Sequence, residues 1–410
     1  MEEGTLLPHL FRTEYRKIVS VLCAAFGIAH VEIAEDIVSD TFLMASELWG
    51  LKGMPVNPTA WLYTVSKNKT RNYLKRDALF AQKIAGEIKY TATKETEIDI
   101  DLSDKNINDS QLAMIFAVCN PVITAESQIA LALNLLCGFG IPEIADAFLT
   151  NREVIYKRIG RAKEKLREEN IRIEQPSPSE IDSRLDIVLA TLYLLFNEGY
   201  YSTSQNTILR KDLCLEAMRL NYLLIENDAT NTPAVNALFA LMCLHASRFE
   251  ARFTDTGAII LYDDQDTALW DMELIGKGSY YLDQASHGNK LSKYHLEAGI
   301  AWWHTQKEDT HEKWESILQL HNQLLVIAYS PIAALNRTYA LAKANGKPEA
   351  IAEAEKLQLS SSHFYFSLLG NLYTGVDNAK ALEHYQKACA MAKSEMEKAV
   401  IRRNMEKLND

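Results

Sequence analysis

The chain of 410 residues contains few cysteines and no long apolar run. Its six cysteines are scattered without a CxxC pair, so the sequence predicts neither a zinc site nor a disulfide framework. No run of about 18 apolar residues occurs, which argues against a membrane-spanning helix. The start, MEEGTLLPHLFRTEYRK, lacks the apolar core of a secretory signal. We therefore expect reduced thiols, a cytoplasmic location and no membrane partner.

The sequence motifs of common enzymes are also missing. There is no GxGxxG, P-loop, GxSxG or HExxH. Asp263, Asp264 and Asp266 stand close together, but they lack the glycine and the distal glutamate of a calcium loop. We therefore predict that the protein is not an enzyme, that it has no catalytic or metal-binding residues, and that it needs no cofactor.

Patterns typical of strands are rare, and apolar residues recur at spacings of three and four along most of the chain. This periodicity predicts an all-α fold. Two polar segments interrupt it: the acidic segment 91–110 and the segment 174–182, where two prolines exclude a continuous helix. We interpret both as linkers. The predicted domains are 1–90, 111–173 and 183–410.

The C-terminal part of the chain carries an excess of negative charge. The chain carries 43 basic and 54 acidic side chains, a formal net charge of −11. Most of the acidic excess lies in 91–110 and 176–410, so a nucleic-acid partner is expected to bind within the first 175 residues.

Residues 126–169 predict a helix-turn-helix. The sequence Thr150-Asn151-Arg152-Glu153 fits a capping box, which predicts a new helix from residue 151. Its apolar face repeats at 4-3-4 spacing (Ile155, Ile159, Ala162 and Leu166). Seven basic and two acidic residues lie between 152 and 167. Such a helix suits the major groove of DNA, although a helical hairpin with a solvated charged face has the same pattern.

A second basic helix is predicted from Pro58, with Asn57 as its cap. Residues 66–76 contain five basic side chains and no acidic one. Trp61, Tyr63 and Tyr73 are interleaved with them, and aromatic rings beside cations suit unpaired bases. The alternative is a cationic helix face whose aromatic residues pack in the core.

An acidic ridge is predicted just upstream, within residues 30–49. Glu35, Asp36, Ser39 and Asp40 form it, next to Phe42. This ridge could dock on a basic protein, and the alternative is an ordinary solvated face.

The three segments occur together and in order: AEDIVSDTFLMASELW, PTAWLYTVSKNKTRNYLKR and EIADAFLTNREVIYKRIGRAKEKLRE. Over residues 8–173 this set resembles an extracytoplasmic-function (ECF) bacterial sigma factor. The resemblance implies a helical region two that binds core RNA polymerase and the melted −10 element. It also implies a helix-turn-helix region four that reads the −35 element.

Site residues follow from the resemblance. It implies polymerase binding by Glu35, Asp36, Asp40 and Phe42. It implies −10 binding by Trp61, Asn68, Arg71, Asn72, Lys75 and Arg76. It implies −35 binding by Arg152, Glu153, Tyr156, Lys157 and Arg161. Family members often have Asp where Asn72 stands.

Segments of the remaining chain, among them RLDIVLATLYLLFNEGY and LYDDQDTALWD, resemble the long C-terminal extension of one ECF group. That extension ends in tetratricopeptide-like helical repeats. The spacing of one such repeat is also visible in the residues themselves. Its first helix would use Phe366, Leu369, Gly370 and Tyr373, and its second would use Ala381, Tyr385 and Ala388. A degenerate preceding pair would use Ala333, Asn336, Tyr339 and Ala340, then Glu349, Ala350 and Ala354.

The leading hypothesis is therefore a sigma factor that directs promoter recognition and transcription initiation, with core RNA polymerase and promoter DNA as partners. Its C-terminal extension would be regulatory and would receive a regulatory protein or a ligand. A stand-alone helix-turn-helix regulator with a helical sensing domain is the alternative, and a repeat scaffold is a third.

Overall fold

The computed structural model describes residues 3–27, 30–84, 101, 103–148, 150–201, 207–252, 254, 260, 262–392 and 395–408. Throughout these residues the chain forms helices and no strand, which confirms the all-α prediction. The chain divides into two compact units, Met1–Glu198 and Gly199–Asp410, called here the N-terminal and C-terminal units. None of the described helices has the length and apolarity to cross a bilayer.

Eight α-helices are described in the N-terminal unit. They are α1 (Glu3–Phe26), α2 (Val31–Lys52), α3 (Pro58–Ile84), α4 (Asp104–Val118), α5 (Ala125–Leu131), α6 (Ile141–Ala147), α7 (Arg152–Glu168) and α8 (Pro178–Tyr201). A π-helical turn over 132–136 continues α5, and the last turn of α8 reaches the C-terminal unit. Helix α1 contacts α2, α3, α4 and the π-helical turn, so residues before 90 and after 110 share one compact unit.

The predicted linker 91–110 overlaps α4, which is helical from Asp104. Ser103 caps this helix, because its Oγ accepts a hydrogen bond from the Asn106 backbone N–H at 3.4 Å. The acidic composition of the segment gave no indication that a helix begins at Asp104. Residues 85–100 lie outside the described part of the chain. The predicted linker 174–182 is helical from Pro178 onwards, with residues 171–177 outside regular helix.

Helix α8 packs on the N-terminal unit through polar as well as apolar contacts. The Thr191 hydroxyl donates to Gln128 Oε1 at 3.0 Å, and the Gln128 amide donates to the carbonyl oxygens of Asn120 and Ile123. Arg184 donates to the Phe116 carbonyl oxygen. These buried hydrogen bonds fix α8 to α4 and α5, because leaving any of these groups without a partner would cost its desolvation energy.

Ten further α-helices are described in the C-terminal unit. They are α9 (Thr207–Glu226), α10 (Pro233–Ala246), α11 (Met272–Ala285), α12 (Lys293–Trp303), α13 (His311–Ile327), α14 (Pro331–Asn345), α15 (Lys347–Leu357), α16 (His363–Tyr373), α17 (Asn378–Met391) and α18 (Glu395–Glu406). Successive helices pack as pairs, with α10 on α11, α13 on α14 and α16 on α17. Residues 235–244 of α10 are buried without interruption, so this helix lies in the interior.

Helices α16 and α17 form the predicted hairpin. Six of the seven expected residues are buried: Leu369, Gly370 and Tyr373 on α16, and Ala381, Tyr385 and Ala388 on α17. The seventh, Phe366, is half-buried, and α16 also buries Tyr365 and Leu372. A Cβ atom on Gly370 would lie 2.7 Å from the Tyr385 ring, so glycine is needed for this approach. In the preceding pair, α14 and α15, the four alanines are buried, Tyr339 is half-buried, and Asn336 and Glu349 are exposed.

Candidate nucleic-acid interface

Helix α7 begins one residue later than expected. Its cap is Asn151, whose Oδ1 accepts a hydrogen bond from the Val154 backbone N–H at 2.8 Å. The predicted capping box on Thr150 was therefore wrong. The Thr150 backbone N–H instead donates to the Ala145 carbonyl oxygen at 2.9 Å and so ends the turn that follows α6.

The two faces of α7 are divided as the periodicity predicts. Ile155, Ile159, Ala162 and Leu166 are all buried, which confirms the predicted inner face. The five residues expected at the −35 duplex (Arg152, Glu153, Tyr156, Lys157 and Arg161) are all exposed. Tyr156 is 67% exposed although it is a large aromatic residue, and such exposure is unusual without a partner.

Helix α6 holds the first half of α7 in place. The Gly140 backbone N–H donates to the Glu143 carboxylate at 2.7 Å, and Pro142 occupies the first turn as the sequence predicts. Helix α6 then packs on α7. The short helix α6 thereby supports α7, whose first half is basic and exposed.

The C-terminal half of α7 contacts α2, a relationship that sequence reasoning missed. Lys163 Nζ lies 3.3 Å from Glu35 Oε2, and Arg167 Nη2 lies 3.7 Å from Glu32 Oε2. Glu35 Oε1 also accepts from Arg16 Nη1 of α1 at 2.7 Å. One carboxylate therefore joins three helices. No local pattern signals this contact, because Glu35 and Lys163 are 128 residues apart.

Helix α3 buries one face and exposes another. Asn57 caps it, since its side chain accepts from the Ala60 backbone N–H at 3.0 Å. Leu62, Ser66 and Thr70 recur at intervals of four and are fully buried. The Ser66 hydroxyl donates to Thr41 Oγ1 of α2 at 3.2 Å, so the buried polar groups of α3 are satisfied within the unit.

The opposite face of α3 carries the residues expected at the −10 strand. Trp61, Asn68 and Asn72 are separated by seven and four residues and share one face. Both asparagines are exposed, whereas Trp61 is half-buried against Trp49 with ring centroids 5.4 Å apart. Arg71 is half-buried at the edge of this face. The side chains of Lys75 and Arg76 lie outside the described residues.

Other polar residues of α3 bind within the unit. The Tyr63 hydroxyl donates to the Glu14 carboxylate at 2.6 Å, and Lys69 Nζ lies 3.6 Å from Asp40. Beside them is an open cleft of about 560 Å³, lined by Lys17 of α1, Lys67 of α3 and residues of α4. The sequence could not predict this cleft, because its walls come from three distant segments.

The acidic ridge on α2 is smaller than expected. The expectation that Phe42 borders an exposed ridge was wrong, because Phe42 is only 5% exposed and packs against Phe11 and Tyr15. The spacing of Val38, Phe42 and Ala45 is typical of a buried helix face and was the available sequence signal for it. Glu35 is also mostly enclosed by its ion pairs. The exposed part of the ridge is Asp36, Ser39 and Asp40.

Four of the buried cysteines have unreactive thiols. Burial raises the pKa of Cys23, Cys119, Cys214 and Cys243 to about 12, so these thiols stay protonated at neutral pH. Within the described residues no group of His, Cys, Asp or Glu side chains is arranged to hold a metal ion.

A family model described as "Family of unknown function (DUF6596)" matches residues 184–286. An uncharacterized protein of Rhizobium meliloti (strain 1021) is 32% identical over 387 residues, which are 92% of this chain and 90% of the relative. The chain belongs to the same family as this rhizobial protein. The similarity therefore extends over both units and includes α2, α3 and α7. No solved structure matches the chain.

Proposed function

We propose that this chain is an RNA polymerase sigma factor of the ECF type. Two observations together support the proposal. Three motif segments occur in the order of that family, and two helices expose residues implied to contact DNA. Helix α7 exposes all five implied −35 residues, and α3 exposes Asn68 and Asn72 on the face that carries Trp61.

Each helix supplies a chemistry that suits its role. Arginine and lysine on α7 bind phosphates, and side chains in its first two turns reach base edges in the major groove. On α3, an indole beside amide groups suits unpaired bases, because rings stack on bases and amides pair with their edges. On α2, Asp36 and Asp40 dock on a basic surface of core polymerase, while Phe42 has a packing role.

The two DNA-binding helices must separate during initiation. The −10 and −35 elements are about 25 base pairs apart, which corresponds to about 85 Å of duplex at about 3.4 Å per base pair. In the structure α2 contacts α3 through Asp40 and Lys69 and contacts α7 through Glu35 and Lys163. In the proposal, the closed N-terminal unit is the unbound form, and opening separates α7 from α2 by breaking the Lys163–Glu35 and Arg167–Glu32 ion pairs.

The C-terminal extension regulates this activity in the proposal. A deletion that tests this must keep α8 whole, because α8 packs on α4 and α5. A chain ending after residue 201 meets this condition and is expected to change promoter output. Unchanged output and unchanged start sites would show that the extension is dispensable.

A pull-down with core RNA polymerase distinguishes the proposal from a stand-alone helix-turn-helix regulator acting in the cytoplasm. The full chain is expected to bind core polymerase without DNA, and a variant with Asp36→Lys and Asp40→Lys is expected to lose that binding. A stand-alone regulator would bind its DNA equally well with or without polymerase. Failure of the folded native chain to bind polymerase would reject the proposal.

A further inference from the structure

A cavity of about 360 Å³ lies inside the C-terminal unit, between α10, α12, α13 and α14. It is separate from the residues to which the proposed function assigns DNA or polymerase binding. Among the described residues, its wall combines cationic, aromatic and imidazole side chains and includes no carboxylate. A wall of this kind differs from an ordinary core, which is filled by apolar groups.

The positive charge at this cavity is buried. Arg248 is 8% exposed, and its guanidinium lies over the Tyr262 ring at 5.4 Å. Arg252 stacks on Tyr200 at 3.8 Å and donates to the Tyr200 carbonyl oxygen. Lys313, 1% exposed, donates to the Tyr262 hydroxyl at 3.0 Å. Arg248 and the half-buried Arg252 therefore line the cavity, and Lys313 contacts the lining residue Tyr262.

Several buried polar atoms around the cavity have no hydrogen-bond partner in the described part of the chain. Arg248 Nε, Gln265 Oε1, His304 Nδ1 and His321 Nδ1 are among them. Buried polar groups in proteins are almost always paired, and an unpaired one costs about 1–3 kcal/mol. Atoms that converge on one cavity and lack partners there indicate a ligand that supplies those partners.

The imidazoles add polarity without charge. Burial, together with the charges of Arg248 and Lys313, lowers the pKa of His304 to about 3. Burial lowers the pKa of His321 to about 4, with a contribution from Arg337. Both rings are neutral at pH 7 and each offers one donor and one acceptor.

Asp309 and Asp264 take part in other interactions. Asp309 accepts from the Trp314 indole N–H and lies 3.5 Å from Lys343 Nζ. Asp264 pairs with Arg403 at 3.2 Å. Among the described lining residues, no carboxylate offsets the cost of burying the charge of Arg248.

We propose that this cavity binds a small organic anion, with a carboxylate or phosphate group beside Arg248 and a ring between the aromatic side chains. The charged group satisfies the buried guanidinium by charge-assisted hydrogen bonds. The ring is held by Tyr262, Trp314 and Tyr339, which line the cavity. The neutral imidazoles and Gln265 bind polar substituents of the ring. The site belongs to the C-terminal unit alone, so it does not depend on the proposed role of the N-terminal unit.

Fluorine NMR of small probes tests the site on the full chain. Millimolar 4-fluorobenzoate and 4-fluorophenyl phosphate provide the two anionic groups, and 4-fluorobenzamide is the neutral control. We expect line broadening of at least one anionic probe that exceeds the broadening of the amide at least threefold. Arg248→Gln is expected to abolish this difference, whereas Arg402→Gln on the exposed surface of α18 should leave it intact.

A second variant guards against a folding defect in the first. Asn336 is exposed where it lines the cavity, so Asn336→Trp should fill the space and abolish broadening without unfolding the chain. Circular dichroism checks the fold of each variant. Equal broadening by anions and amide, or anion broadening that survives both Arg248→Gln and Asn336→Trp in folded protein, would overturn the proposal.

Discussion

Glu35 of α2 and Lys163 of α7 form an ion pair in which Nζ lies 3.3 Å from Oε2, and Glu35 binds Arg16 through its other oxygen. Its carboxylate is 21% exposed, and the two cations are 12% exposed. Because all three groups are mostly enclosed, the carboxylate compensates two partly desolvated charges. This single side chain connects the acidic helix to the helix of the helix-turn-helix.

The first prediction concerns Glu35→Gln. The substitution leaves Arg16 and Lys163 enclosed without their anion, so we expect a loss of about 2 kcal/mol in the free energy of unfolding. Urea denaturation followed by circular dichroism measures it. Asp36→Asn, at the exposed neighbour, is the matched control and should change stability by less than about 0.5 kcal/mol. Equal losses in the two variants would contradict the role assigned to Glu35.

The second prediction concerns the exposed face of α7. Arg161→Ala removes an exposed cation from the implied −35 surface without touching the buried face, so promoter-dependent transcription should fall about tenfold or more. Lys165→Ala is the control, because Lys165 is paired with Glu169 at 3.0 Å near the end of the helix. Run-off transcripts from one promoter are compared. A similar fall in both variants would argue that α7 contributes only general charge.

The third prediction concerns base preference at the −10 element. Asn72 has both a donor and an acceptor, whereas an ionised aspartate only accepts hydrogen bonds. Asn72→Asp should therefore shift one position of the selected −10 sequence towards bases whose edges donate an amino group. Sequencing of transcripts from a randomised promoter library reads this out. The same change at the exposed Asn289 of the C-terminal unit should leave the selected sequence unaltered, and a shift there would point to an indirect effect.

The fourth prediction compares two helical glycines. In Gly370→Ala the new Cβ would meet the Tyr385 ring, so we expect a loss of about 1–3 kcal/mol from overpacking. In Gly276→Ala the new Cβ meets nothing within 4 Å, and the higher helix propensity of alanine should stabilise the chain by about 1 kcal/mol. Thermal unfolding should thus give shifts of opposite sign. Shifts of the same sign would refute the close packing of α16 on α17.

The fifth prediction concerns pH. His321 has a pKa lowered to about 4 by burial, whereas in the unfolded chain it titrates near its ordinary value of 6.5. The unfolded state therefore takes up a proton first, and stability falls as pH drops from about 6.5 towards 4, by about 2 kcal/mol at pH 5 from this group. In His321→Gln, urea midpoints should decline less between pH 7 and pH 5. The exposed His287→Gln should decline like the native chain, and an unchanged slope in His321→Gln would disprove the assignment.

Local periodicity predicted a large part of the fold. The buried face of α7 and the inner residues of α16 and α17 follow from spacing alone, because a helix that lies on a core repeats its contacts every three or four residues. Gly370 was also predictable, since a small residue at that position of a hairpin indicates a close approach between helices.

Contacts between distant segments could not be predicted. Three features depend on which helices meet: the pair of Glu35 and Lys163, the cleft beside α3 and the burial of Arg248. In addition, a charged residue has the same sequence signature on a solvated face and in an ion pair. The burial of Phe42 was not predicted either. Its neighbours on the acidic ridge suggested exposure, but the packing of α1 on α2 decided its burial.

The proposed function requires that this chain directs core RNA polymerase to specific start sites. Run-off transcription with purified core polymerase and a genomic promoter pool tests it most directly, with the full native chain added or withheld. We expect discrete transcripts only when the chain is present, with start sites that share −10 and −35 sequences. Transcripts that are absent, or the same with and without the folded chain, would contradict it.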